Sequence, residues 1–117
     1  MFTRSLVAIG IALVIAPAAA IAHHGWSTYD PQKKLKVTAP LTNVGWSNPH
    51  GSAKIMWQKA SWDVVLAPVA RMEARGLTQE MLAKAKAVTL EGWPRSDGTR
   101  EMKIERITID GKVTDLR

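Results

Sequence analysis

The feature that most restricts how this chain can fold is an apolar alternation that changes parity. Leu35, Val37, Ala39 and Leu41 are apolar at odd positions, and Val44 and Trp46 carry the pattern on at even ones. Strict alternation marks a half-buried strand, and a parity change inside it marks a bulge or a sharp bend. Asn43 and Gly45 suit the bend, and Ser47-Asn48-Pro49 ends the strand. Ala53, Ile55 and Trp57 alternate as a second strand, residues 58–61 turn the chain, and Trp62, Val64 and Leu66 alternate as a third. Pro68 fits the start of a helix over residues 69–75, with Gly76 as its stop. Thr78 fits the cap of a second helix over residues 79–86, with Glu80 in its first turn. Val88, Leu90 and Gly92 resume a strand, and Asp97-Gly98 turns into the next. Met102 and Ile104 then change parity to Ile107 and Ile109, a second candidate bulge, before an Asp110-Gly111 turn toward Val113 and Leu116.

The order is three strands, a helical connection and two more strands, with the first strand bent. Small barrels need bent strands that serve two sheets, and this order is that of the OB-fold. The expectation is a mainly β, five-stranded OB-like barrel over residues 35–117, with an open α+β sandwich as the alternative.

The first 22 residues do not read as part of that domain. Arg4 gives a positive start, residues 6–15 are an unbroken apolar or small run, and Pro17 breaks it ahead of Ala18-Ala19-Ala20-Ile21-Ala22. That order of parts is a secretory leader, and its apolar run is short for a bilayer span. The prediction is export to the periplasm or medium, with cleavage after Ala22 favoured over cleavage after Ala20 and no membrane anchor afterwards. Residues 23–34 then form an N-terminal arm turned by Asp30-Pro31. The 117-residue chain has no cysteine, so disulfide and thiol chemistry are excluded and the domain must hold itself by packing. Setting Arg4 aside leaves fifteen Lys and Arg against ten Asp and Glu, scattered except for Lys33-Lys34-x-Lys36. Export argues against nucleic acid as the partner of that basic excess.

Cleavage after Ala22 makes His23 the first residue of the working protein. An N-terminal histidine offers its α-amine and ring Nδ1 to one metal ion, and one further imidazole from His50 or His24 completes a T-shaped set of three nitrogens. Planar nitrogen ligation suits Cu(II) above other divalent ions. Cleavage after Ala20 would instead expose Ile21-Ala22-His23, an amino-terminal copper or nickel motif that needs no internal ligand. The residues alone leave standing the opposite reading, in which His23 and His24 are a solvated arm and His50 merely caps a loop.

The five tryptophans stand in a chain with one Tyr and one Phe, the latter inside the leader. Core and rim packing is their first role. Trp26 and Trp46 lie within four residues of a histidine, so they and Asn48 are candidates for shielding a metal, and Asp30 for orienting a histidine ring. Asp30 has a competing role as the start of its turn. No serine elbow, HExxH motif, Walker loop or dinucleotide turn is present, and no catalytic residue is assigned.

The segments HHGWSTYD, VGWSNPHG, WDVVLAPVARMEARGLTQEML and VTLEGWPRSDGTREMKIERITIDGK together resemble a family of small exported bacterial proteins of unknown function. The shared marks are His-His at the mature start (His23, His24) and W-x-N-P-H (Trp46, Asn48, Pro49, His50). The resemblance implies a periplasmic small β-barrel whose mature chain begins near His23, and no activity. Two departures, Ala39 for a usual glycine and the stretch around Ala85-Lys86 for a Gly-Asp, lie away from the histidines.

The expected function is periplasmic copper storage, delivery or protection, with room for another periplasmic metal-handling protein as partner. Two alternatives stand beside it. One is a non-metal ligand- or partner-binding module that uses a tryptophan-rich face. The other is a copper-dependent oxidative enzyme, for which so short a chain leaves little substrate platform.

Overall fold

The computed structural model describes residues 25–117. In those residues the chain runs β1 (Leu35–Ala39), β2 (Thr42–Gly45), β3 (Ser52–Trp57), β4 (Ala60–Val65), α1 (Val69–Ala74), α2 (Gln79–Lys84), β5 (Val88–Pro94), β6 (Glu101–Ile109) and β7 (Lys112–Asp115). The seven strands form one sheet with the path β1-β5-β6-β4-β3-β2, and β7 pairs with β6. Every pairing is antiparallel except that of β4 with β6.

The two ends of that path are β1 and β2, the arms of the one bent strand that the parity change announces. Six strands laid flat would set the outer two about 24 Å apart. Only Pro40 and Leu41 join Ala39 to Thr42, a reach of at most about 11 Å. The sheet must therefore curl until its ends nearly meet. It does not close into the expected barrel. Pro40 has no N–H to carry a ladder around the bend, so β1 pairs only with β5 and β2 only with β3. The strand count also exceeds five, because the bend splits the first strand and the tail adds β7.

The bends themselves lie where parity changes. In the first, the β2–β3 register shifts between Thr42 and Gly45, and Asn43 takes a φ of 50°. In the second, Glu91 faces Arg106 while Gly92 faces Ile104, so Glu105 is the extra residue of a bulge in β6. That extra residue lets Met102 and Ile104 before it, and Ile107 and Ile109 after it, all enter the core. The Glu105 carbonyl accepts a hydrogen bond from Leu116 N at 2.7 Å. Opposite the bulge the strands press so close that a Cβ on Gly92 would lie 2.0 Å from the Lys103 carbonyl oxygen.

The helices sit between β4 and β5, as the three-plus-two strand order requires. Arg75 closes α1 and Gly76 follows at a φ of 82°. The Thr78 side chain caps α2 by accepting from Met81 N at 3.3 Å. Both helices stop short of their predicted ends, at Ala74 and Lys84, where Ala85 turns extended. Met72 of α1 and Leu82 of α2 are fully buried and cover the core formed by Ile55, Val64, Leu90, Ile104 and Ile107. No helix among the described residues is long and apolar enough to cross a membrane.

Two hairpin turns contrast in their chemistry. Asp110 and Gly111 (φ 49° and 79°) join β6 to β7, and Gln58 and Lys59 (φ 50° and 62°) join β3 to β4. Two consecutive positive φ values are the type I′ turn, which matches strand twist and favours Asn-Gly or Asp-Gly. Gln58 and Lys59 hold it against their own preference.

Replacing Gln58 by Asn together with Lys59 by Gly should raise stability by about 1 kcal/mol in urea unfolding. An unchanged midpoint would mean that the turn carries no such strain. Gly92→Ala should lower stability by about 3 kcal/mol, because the clash is with backbone rather than with a side chain that can swing away. A loss below about 0.5 kcal/mol, the range of a harmless surface substitution, would show that the two strands are free to separate there.

Candidate functional site

The arm is docked against the sheet. Tyr29 bridges to Arg95, Asp30 N donates to the Pro94 carbonyl at 2.8 Å, and Ser96 N donates to the Thr28 carbonyl at 2.9 Å. Tyr29 is 8% exposed. Its hydroxyl donates to Glu101 Oε2 at 2.8 Å, and Arg95 meets the same oxygen at 3.3 Å. Burial first, and then the carboxylate of Glu101, push the Tyr29 phenol well above its ordinary value of 10.0. Hydrogen bonds from the Thr99 backbone and side chain, with that from Arg95, hold the Asp97 carboxyl down at about 2.

Trp26 packs edge-on against Trp93 with ring centres 5.3 Å apart. The Lys103 ammonium lies 4.6 Å from the Trp26 ring centre, and the Arg117 guanidinium 4.7 Å. Such cation–π contacts hold an indole without a deep pocket. Lys103 Nζ also reaches the Gly25 carbonyl at 3.4 Å.

A second construction brings His50 to the same place. Gly51 N donates to the Ala67 carbonyl and Leu66 N to the Gly51 carbonyl, each at 2.9 Å. This pair ties the start of β3 to the end of β4. Gly51 is buried, and a Cβ there would lie 2.6 Å from Met72 Cε of α1. The Gly51 carbonyl also sits 3.0 Å from His50 Nδ1. A carbonyl only accepts, so Nδ1 is the donor of this pair, and in the neutral ring Nε2 then keeps the lone pair.

Between the two constructions lies a cleft of about 430 Å³. Trp26 and Tyr29 of the arm line it with Pro49 and His50, and its walls include Val65, Pro68, Ile104 and Leu116. Its charged groups are Arg71, Arg95, Lys103 and Glu101. Glu101 is taken up by Arg95 and Tyr29, whereas Arg71 donates to the Leu116 carbonyl at 3.1 Å. Burial, followed by repulsion from Arg71 and Arg117, pulls the Lys103 ammonium below its ordinary 10.5.

Of the residues singled out in the sequence, Trp26 and His50 meet in this cleft. Trp46 lies elsewhere, with its Nε1 donating to Glu73 Oε1 at 3.3 Å and its ring against the core. Asn48 is exposed and joined to Pro49 by a cis peptide. Asp30 caps its own turn by accepting from Gln32 N at 2.9 Å and does not reach the cleft. His23, His24 and the cleavage sites lie outside the described residues. Among the described residues no three of His, Cys, Asp and Glu are grouped as metal ligands would be. The cations of the cleft escaped the sequence reading because they are scattered over residues 71, 95 and 103 and meet only in the fold.

Fold and site together define a small, mainly β domain with a basic, aromatic-lined hollow at the seam between its arm and its sheet. The chain belongs to a family of unknown function (DUF6152), whose pattern matches residues 11–104. That match takes in all three histidines and stops short of Arg117. No curated protein matches the chain.

The Tyr29 contact predicts an alkaline signature. A phenol whose folded value is raised contributes stability that is complete below its unfolded value and is lost as pH rises beyond it. Tyr29→Phe should cost about 1–2 kcal/mol at pH 7, because Glu101 loses a donor. The gap between the two proteins in urea midpoint should narrow as pH climbs past 10.0. A gap independent of pH would mean that the phenol is not held by Glu101.

Proposed function

We propose that the mature protein is a periplasmic Cu(II)-binding protein that stores, delivers or sequesters the ion. His23 supplies its α-amine and imidazole, His50 the third nitrogen, and His24 an alternative ligand. One observation carries this reading. Trp26 and His50 line one cleft, and His50 has its Nδ1–H committed to the Gly51 carbonyl, which leaves Nε2 to bind a metal. A metal-binding imidazole is commonly held by such a bond from its other nitrogen. Gly25 is tied to Lys103 at the same seam, and His23 is two residues from Gly25, a span of at most about 7.6 Å between Cα atoms.

The ligands must shed protons to bind, so affinity falls steeply below about pH 6.

The test is a Cu(II) competition titration on exported protein whose intact mass fixes its first residue. Two companions are a form with one extra methionine before His23 and the variant His50→Ala. The native form should bind tightly, the extended form should lose that affinity, and His50→Ala should weaken it by about tenfold or more. Equal affinity in the native and extended forms removes the α-amine from the site. Equal affinity in native protein and His50→Ala removes the internal histidine.

A further inference from the structure

The cleft holds more positive charge than the proposed metal site can use, and the excess points to a second ligand. Arg71, Arg95 and Lys103 line it against the single carboxylate of Glu101, which Arg95 already pairs. Lys103 and Arg71 have no carboxylate partner among the described residues, and residues 1–24 contain no Asp or Glu that could supply one. Lys103 is half-buried beneath Trp26 and Tyr29, and among the described residues its ammonium contacts ring faces and one carbonyl. Placing a half-buried ammonium beside other cations is unfavourable unless an anion joins them. Two cations that line one hollow without a carboxylate partner therefore match a bidentate or bridging anion. The rest of the lining narrows its kind. Val65, Pro68, Ile104 and Leu116 are apolar, and Trp26 adds an aromatic edge. Inorganic phosphate would leave that surface unused, and a purely apolar guest would leave the cations unpaired. The volume of about 430 Å³ lies in the range of small-molecule sites.

We propose that the cleft binds a small organic carboxylate, with its carboxylate between Lys103 and Arg71 and its apolar body against Trp26, Val65 and Pro68. This site shares the cleft with His50 but requires neither the metal nor a free amino terminus. The anion neutralises charge that would otherwise oppose a cation held nearby, so the two sites are compatible.

The experiment titrates phenylacetate into the mature protein in the presence of a carboxylate-free polyamine chelator, following tryptophan fluorescence and heat. The chelator strips copper, so a failed copper reading leaves this titration unaffected. Two further probes share parts of phenylacetate: 2-phenylethanol has the apolar body without the charge, and inorganic phosphate has the charge without the body. Saturable phenylacetate binding, with each of the other two weaker by about tenfold or more, is the expected result. Lys103→Met should reduce phenylacetate affinity by at least about tenfold, and Lys103→Arg should restore most of it. A thermal melt of each variant establishes that it is folded. Equal binding of 2-phenylethanol overturns the carboxylate, and equal binding of phosphate overturns the organic body. No saturable binding of phenylacetate by the native chain overturns the site. Native affinity in folded Lys103→Met overturns the role of Lys103.

Discussion

The bulge at Glu105 is the constraint on which the other pieces depend. β6 pairs with β5, β4 and β7, so it is the strand through which most of the sheet is held together. A regular strand of that length would send either its first half or its second half away from the core, because side chains alternate without exception. One unpaired residue resolves the conflict. It puts four large apolar side chains inward, increases the local twist and bends the sheet toward closure. The neighbouring strand answers with Gly92, where no side chain could be accommodated against the Lys103 carbonyl. A local count of residues thereby decides a global shape.

The cleft lies away from the open edge between β1 and β2, at the place where the arm carrying Trp26 and Tyr29 lies across the end of β5 beside the start of β6. On the other side Gly51 is pinned to Leu66 and Ala67 and rests on Met72, so His50 faces the arm from a rigid support. The polar contacts of the site come mainly from loops and strand ends. Its apolar wall comes from the β4–α1 connection and from the core-facing side of β6.

Much of the framework was legible in the chain because it rests on patterns local to a few residues. Parity changes at residues 41–44 and 104–107 marked both bends, and Thr78, Gly76 and Asp110-Gly111 marked a cap, a helix stop and a turn. The Gln58 and Lys59 turn was located only loosely, since neither residue favours a positive φ and its type is imposed by the strands it joins. The open seam was missed because Pro40 looked like one more residue of a continuous strand. The candidate site was half legible. His50 and Trp26 stand out by residue type, but the convergence of Arg71, Lys103 and Arg95 depends on pairing among β4, β5 and β6, and no periodicity in the sequence encodes it. Asp30, Trp46 and Asn48 were close to histidines in sequence and are put to other uses in space.

The docking of the arm has a thermodynamic side. Between residues 25 and 34 only Tyr29 is buried, so lifting this segment costs one buried aromatic side chain, a few hydrogen bonds and four cation–π contacts. Such a segment opens at a free energy well below that of global unfolding. Any molecule that binds only the seated arm adds to that opening energy in proportion to the logarithm of its concentration over its dissociation constant. The arm is then a shared lever: whatever fastens it from inside the cleft also holds Gly25 at its start, and reciprocity requires the converse. Occupancy at either end of those ten residues is a quantity the other end can sense.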